Sequence, residues 1–199
     1  MFRCAVVTLA AAALGAPTAV ADDPVPVKGS KVTYAPTVSV PVKDKDVQLG
    51  LTGVGLRKKT GFSVYAVASY IQDGTAVRTA ADVVKADAVR MLHLVMERTV
   101  QPAEFIGALK SAVGKSYPAD KFEAEFAQLA EAVGGRAAAR GDHVTLLSVP
   151  GAGVRIRMSD KVDVTVKNAD FARALWEVYL GPKPLDEGLK KGLVGLLPQ

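Results

Sequence analysis

The segment from residue 49 to residue 70, LGLTGVGLRKKTGFSVYAVASY, carries two β-strand patterns separated by a short basic turn. The first strand ends at Arg57, and the second carries Tyr65 and Tyr70. A pair of neighbouring strands then holds an arginine and a tyrosine near each other in a chain that is otherwise apolar. We interpret this arrangement as a pocket for a molecule with an acidic head and an apolar body.

The N-terminus has the three parts of a secretory signal peptide. A short basic start at residues 1–3 precedes an uncharged apolar run from Cys4 to Ala16, and small residues follow at 19–21. The apolar run is too short to span a bilayer, and no other run is long enough for a membrane helix. We therefore predict that residues 1–21 are removed and that the rest is exported. Its destination is the periplasm of a Gram-negative bacterium, or otherwise the medium as a secreted protein.

Removal of the signal peptide also removes Cys4, the only cysteine of the chain. The remaining protein then has no disulfide, no thiolate metal ligand and no cysteine nucleophile. Two histidines are too few for a zinc site of ordinary composition, so we expect neither a metal nor a cofactor. The formal net charge of +5 is modest, and the bases are not interleaved with aromatic residues, so we expect no nucleic-acid binding.

Residues 22–45 are rich in proline, valine and lysine, with prolines at positions 24, 26, 36 and 41. Proline cannot donate a ladder hydrogen bond, so the pattern predicts an extended arm or an edge strand rather than core. Residues 46–199 contain no internal repeat and no low-complexity linker, which predicts one domain.

Within that domain, strand patterns with alternating apolar residues and helix patterns with apolar residues at helical spacing follow in a legible order. The stretch from Ala88 to Met96 is apolar on both sides except at Arg90 and His93, which is typical of a central strand covered on both faces. The predicted strands are 47–57, 62–71, 88–96, 144–149, 154–158 and 162–166, and the predicted helices are 79–86, 102–113, 118–133, 168–179 and 185–193. This order indicates an α+β fold with a largely antiparallel sheet, one face of which is covered by helices.

Several of these segments carry a family resemblance. The segment GVGLR at 53–57, followed by FSVYAVASY at 62–70, resembles the opening hairpin of the chalcone isomerase-like family. The segments DFARALWEVYLGPKPLD at 170–186 and LKKGLVG at 189–195 are similar to the end of its exported bacterial members. The resemblance spans about residues 47–196.

The resemblance implies an open-faced β-sandwich, in which a large antiparallel sheet carries helices on one face and a ligand cleft lies between them. Plant chalcone isomerases close a flavanone ring in this cleft, and fatty-acid-binding relatives hold an acyl chain there, with an arginine and a tyrosine at the carboxylate. Arg57 matches that arginine, Tyr65 lies about where the fatty-acid binders have the tyrosine, and Tyr70 matches a tyrosine that is structural throughout the family. Arg57 would hold a carboxylate through two hydrogen bonds, or stabilise an enolate-like oxygen.

The chain departs from the enzymes of the family on the helix after Pro102. The enzymes carry a tyrosine and an asparagine there, whereas this helix reads PAEFIGALKS. A second specificity position, at the start of the helix that contains Trp176, is also unmatched. These departures favour a binding role over chalcone isomerase activity.

We therefore weigh three functions. The first is binding of a fatty or aromatic acid by Arg57 and Tyr65. The second is an isomerase that acts on a chalcone-like or related enone with the same two residues as catalytic candidates. The third is a non-catalytic protein-interaction module of the cell envelope.

Most of the singled-out residues also have an ordinary structural interpretation. Arg57 is then a surface arginine of a basic turn, and Tyr65 is a packed aromatic residue whose hydroxyl is satisfied at an edge. His93 is interpreted as a neutral, hydrogen-bonded histidine in the core, and His143 as a solvated turn residue. The common nucleophile, phosphate-loop, metalloprotease and dinucleotide motifs do not occur in the sequence.

Overall fold

The computed structural model of the protein describes residues 23–198, so the predicted signal peptide lies outside the described residues. Its main feature is a seven-stranded antiparallel sheet in which each strand pairs with the next one in the chain. The strands are β3 (Thr37–Val42), β4 (Lys45–Lys59), β5 (Phe62–Gln72), β6 (Arg90–Met96), β7 (His143–Val149), β8 (Gly153–Met158) and β9 (Val162–Val166). Before them, β1 (Val25–Pro26) and β2 (Thr33–Tyr34) form a separate two-stranded sheet. The predicted α+β class and antiparallel sheet are confirmed.

The helices lie on one face of the sheet, where their apolar residues share one core with the strands. They are α1 (Ala80–Lys85), α2 (Pro102–Val113), α3 (Glu123–Val133), α4 (Ala169–Leu180) and α5 (Glu187–Leu193). Their starts follow from local chemistry. Thr79 forms a capping box with Asp82, and the Asn168 side chain accepts from two backbone N–H groups of α4.

One predicted helix start is wrong. We expected the third helix to begin at Pro118, but α3 begins at Glu123. Residues 118–122 turn instead, with the Lys121 N–H donating to the Pro118 carbonyl. The acidic residues Glu123 and Glu125 then fall in the first turn of α3, where they complement the positive end of the helix dipole.

Strand β6 is the fourth of the seven strands. Leu92, Leu94 and Met96 are buried under the helices, whereas Met91 is buried in a second apolar cluster on the opposite face. The prediction of a central strand covered on both faces is confirmed.

The second face is partly covered by the N-terminal segment. Val27 and Tyr34 are only 2% and 3% exposed, and they pack in a cluster with Ala68 and Tyr70 of β5. The Tyr70 hydroxyl also donates to the Ala35 carbonyl at 2.9 Å. The predicted edge strand is present as β3, at one edge of the seven-stranded sheet, whereas the expectation that the segment lies outside the core is wrong for Val27 and Tyr34. The prolines predicted that this segment would not form a regular strand in the core. Strands β1 and β2 are so short that they need few ladder hydrogen bonds, so the prolines do not prevent the segment from packing on the sheet.

On the same face, His93 and His143 meet across β6 and β7. His93 Nε2 lies 2.8 Å from His143 Nδ1, and the ring of Tyr34 packs edge-on against His93 with ring centroids 5.3 Å apart. Burial, together with the nearby His143, lowers the pKa of His93 to about 4. His93 is thus the neutral, hydrogen-bonded histidine that the sequence predicted, whereas His143 is exposed but begins β7 rather than lying in a turn.

Acidification from pH 6.5 to pH 5 is expected to destabilise the protein through His93. Because its pKa in the folded chain lies below the ordinary value of 6.5, the unfolded chain takes up the proton first as the pH falls. The stabilisation is complete above pH 6.5 and declines by about 1–2 kcal/mol by pH 5. The lowered pKa values of Asp142 and Asp163 place their own titrations below this window. Urea unfolding of the wild type and of His93→Gln at both pH values measures the effect, and an equal loss in both proteins would contradict it.

Candidate functional site

The β4–β5 hairpin places Arg57 directly opposite Tyr65. The next pair is Lys58 with Ser63, so Val64 is left as the extra residue of a β-bulge. Bulges re-aim side chains relative to a regular strand. In this case both Val64 and Tyr65 are buried and both line the same cavity, together with Arg57.

That cavity, of about 240 Å³, lies between the sheet and helices α2 and α4. Its walls are mainly hydrocarbon, contributed by both layers. The apolar lining includes Val64, Leu94, Met96, Phe105, Leu109 and Val178. Helix α2 contributes small or apolar side chains, the hydroxyl of Ser111 and the carboxylate of Glu104, and neither a tyrosine nor an asparagine.

One end of the cavity is polar. Arg57 Nη1 donates to Asp186 Oδ2 at 3.0 Å, and the two side chains are 18% and 39% exposed. The other oxygen of Asp186 accepts from the Leu189 N–H at 2.8 Å, so the same carboxylate caps helix α5. The guanidinium of Arg57 is therefore held by a residue whose own position is fixed by the last helix.

Two buried phenols complete this polar end. The Tyr65 hydroxyl donates to the Tyr179 hydroxyl at 3.4 Å, a long hydrogen bond. Burial raises the pKa of both tyrosines, more than the charge of Arg57 lowers it, so both are neutral. Within residues 23–198 the two hydroxyls share this one side-chain hydrogen bond, so one of the two phenol protons is left for a bound group.

The open side of the cavity is lined by charged residues. Arg98 Nη2 lies 2.5 Å from Glu104 Oε1, and Lys59 Nζ lies 4.0 Å from the same oxygen. Lys115 Nζ donates to the Pro184 carbonyl at 3.2 Å. The lining thus contains more basic than acidic side chains.

Of the residues singled out in the sequence, Arg57 and Tyr65 reach the cavity, and Tyr70 lies on the opposite face of the sheet. The sequence did not reveal Tyr179 or Asp186 as members of the site. Tyr179 looked like an ordinary core residue of a helix, and Asp186 ended the C-terminal segment that carries the family resemblance. A local signal existed only for Asp186, which stands three residues before Leu189 in the pattern of a helix N-cap.

Residues 27–195 match a protein-family model described as chalcone isomerase-like. The chain belongs to this family. Among solved structures, this chalcone isomerase-like protein is similar to a fatty-acid binding protein of Arabidopsis thaliana, with a TM-score of 0.59 and 17% sequence identity. The match covers 79% of this chain and 96% of the plant chain, and at this identity it shows the fold alone. A comparison with curated protein sequences finds no significant match.

The family resemblance and the fold that it implies are thereby confirmed, and membership of an exported bacterial branch stays a prediction. Within the described part of the chain, no group of three or more histidine, cysteine, aspartate or glutamate side chains is placed to hold a metal ion. Across the same residues, no helix is both long enough and apolar enough to cross a membrane.

Helix α5 reaches its position because glycines let its backbone touch β4. A Cβ atom on Gly53 would lie 2.1 Å from the Gly192 carbonyl oxygen, and one on Gly192 would lie 2.6 Å from the Val54 carbonyl oxygen. The Thr52 hydroxyl donates to the Leu193 carbonyl at 2.8 Å across the same contact. This contact places Asp186 beside Arg57.

Replacement of Gly53 by alanine is expected to destabilise the protein by about 3 kcal/mol, because the new methyl group overlaps backbone atoms that cannot move aside independently. Gly107→Ala on α2 is the control. Its Cβ meets no atom within 4 Å, and replacing a helical glycine stabilises by up to about 1 kcal/mol. Chemical unfolding measures both, and a Gly53→Ala protein as stable as the wild type would show that α5 does not depend on this contact.

Proposed function

We propose that this chalcone isomerase-like protein binds a small acid with an apolar body, fatty or aromatic, in the cavity between sheet and helices. The observation that carries the proposal is the pairing of a hydrocarbon-walled cavity with one polar end, where Arg57, Tyr65 and Tyr179 converge. A guanidinium next to neutral phenols offers several hydrogen-bond donors and one positive charge. A ligand carboxylate accepts hydrogen bonds from these donors, and the hydrocarbon body of the same ligand packs against the apolar walls.

The existing ion pair sets a condition on this binding. Asp186 already neutralises Arg57, so a ligand carboxylate either shares the guanidinium with Asp186 or displaces it. Arginine has five N–H donors, and a single one is engaged by Asp186, so sharing leaves donors for the ligand. The basic residues Lys59 and Lys115 on the lining offset the second carboxylate.

The cavity size favours a ligand of modest bulk. A volume of about 150 Å³ holds benzene, and typical ligand pockets begin at about 300 Å³. The 240 Å³ of this cavity lies between them and fits one aromatic ring with a short tail, or a medium acyl chain.

The composition of α2 also favours binding over isomerisation. At the part of the cavity formed by this helix, Phe105, Leu109 and Ala112 present hydrocarbon rather than proton donors. The structure also resembles that of a plant fatty-acid binding protein, and the role proposed for this chain is of the same kind.

Two variants of the ion pair test the proposal in opposite directions. Arg57→Met is expected to weaken binding of octanoate or cinnamate at least tenfold, because a hydrogen bond to a charged group contributes about 1.5–3 kcal/mol. Asp186→Asn is expected to strengthen binding severalfold, because the uncompensated guanidinium gains an anion and asparagine still caps α5. Isothermal titration calorimetry of both variants measures the affinities.

Arg155→Met is the matched control, because Arg155 forms an ion pair of the same kind with Asp163 at the far edge of the sheet. Its acid affinity should equal that of the wild type. If Arg57→Met binds the acids as the wild type does, the head group does not lie at Arg57.

A second test fills the cavity without touching its polar end. Ala112 is 5% exposed and lines the cavity, so Ala112→Phe places a ring where the apolar part of the ligand would lie. We expect acid binding to be lost while the melting temperature is kept or raised, because filling a void adds packing contacts. Ala103→Phe, at an exposed position of the same helix, is the control. Undiminished acid binding by a folded Ala112→Phe protein would place the ligand elsewhere.

A further inference from the structure

The turn between β4 and β5 and the strand residues that flank it, Lys58–Phe62, form a tip that is exposed along its whole length. Phe62 is 72% exposed and is one of two large hydrophobic residues with exposed side chains in the part of the chain that the structure describes. Thr60 and Gly61 both have positive φ angles, of 48° and 84°, which close the turn tightly. We call these five residues the hairpin tip.

The hairpin tip lies at the mouth of the cavity. Lys59 lines the cavity itself, and it also lines a shallow depression on the surface with Thr60 and Phe62. Arg98 and Glu104 belong to both linings as well. An aromatic ring and two lysines therefore stand next to the opening through which a ligand reaches Arg57.

The charge around this opening is positive. Five basic side chains lie at the tip, the mouth and the polar end, against three acidic ones: Arg57, Lys58, Lys59, Arg98 and Lys115 against Glu97, Glu104 and Asp186. All three acidic side chains already have partners, since Glu104 pairs with Arg98, Asp186 with Arg57, and Glu97 accepts from Ser30. Within residues 23–198, Lys58 has no carboxylate within 4.0 Å.

A single exposed hydrophobic residue is common on proteins and needs no explanation. The second exposed one, Leu196, illustrates that ordinary case. It lies near Thr52, seven residues along β4 from Lys59, beside Arg78 but also beside Asp73 and Asp82. Phe62 differs because its neighbours are basic and because it borders the cavity.

An aromatic ring flanked by lysines matches the interface of an anionic bilayer. The ring enters the boundary between headgroups and acyl chains, and each lysine near the surface adds attraction to anionic lipids. An acidic protein surface would also attract the lysines, but the tip borders the opening of a hydrocarbon-walled cavity, and a bilayer is the phase that holds an acid with an apolar body. We propose that the hairpin tip docks the protein on anionic lipid bilayers, with the cavity mouth facing the membrane. The proposal rests on the proposed function in one respect, that the acid enters the cavity from the bilayer.

Vesicle flotation of the full protein tests the docking. The wild type should bind vesicles with 30% phosphatidylglycerol in phosphatidylcholine, should bind pure phosphatidylcholine at least tenfold more weakly, and should be released by 0.5 M salt. Phe62→Ser and Lys58→Glu should each reduce binding to the anionic vesicles about tenfold, while Leu196→Ser should leave it unchanged.

The same variants are titrated with octanoate in the absence of vesicles. Neither Phe62 nor Lys58 lines the cavity, so acid affinity should be unchanged in all three variants. Vesicle binding without any octanoate binding supports docking and overturns the proposed function. Octanoate binding by a wild type that binds no vesicles overturns docking alone.

Three further outcomes also overturn the docking proposal. The first is equal binding to anionic and neutral vesicles, and the second is an equal loss of vesicle binding in Phe62→Ser and Leu196→Ser. The third is that the protein binds polyglutamate but not vesicles and that Lys58→Glu abolishes this binding, which would assign the tip to an acidic protein partner.

Discussion

The polar end of the cavity depends on a direct contact between the backbones of β4 and α5, where glycines leave no side chain in between. Gly53 and Gly192 bring two backbones so close that a single added methyl group would overlap a carbonyl oxygen. Helix α5 is only seven residues long and is too short to be stable by itself, so its helical form depends on this docking. The carboxylate of Asp186 both caps α5 and pairs with Arg57. The geometry of the polar end is therefore fixed by a packing contact outside the cavity.

The electrostatics of the polar end follow from partial burial. A guanidinium that is 18% exposed has lost much of its hydration, and Asp186 compensates it at 3.0 Å. The two phenols, Tyr65 and Tyr179, remain neutral because burial opposes their ionisation more than the nearby cation favours it. The site therefore holds one positive charge in a neutral, donor-rich environment. Such a site discriminates between ligands by the number of hydrogen bonds that their head groups accept as well as by charge.

What the sequence could predict was decided by local patterns. The alternation that ends at Arg57 and resumes at Phe62 predicted the hairpin, and the helical spacing in 169–180 predicted α4, because strand and helix periods are properties of neighbouring residues. The partners that complete the polar end lie 129 and 114 residues away along the chain. No local period encodes such distances. The burial of Val27 and Tyr34 escaped prediction for the same reason, since it depends on an apolar sheet face far along the sequence.

The cavity itself results from how unevenly the helices pack on the sheet. Helix α4 packs directly on the strands, whereas α2 packs mainly against α3 and α4 and stands away from the sheet. Small residues on α2, Ala108 and Ala112, line the gap, and a larger side chain at the buried Ala112 would fill part of it. Close packing is the norm in protein interiors, so a hydrocarbon-walled gap of 240 Å³ costs stability in the absence of a ligand. The bulge at Val64 turns two consecutive side chains towards that gap, which concentrates both its apolar wall and its polar end on a single strand.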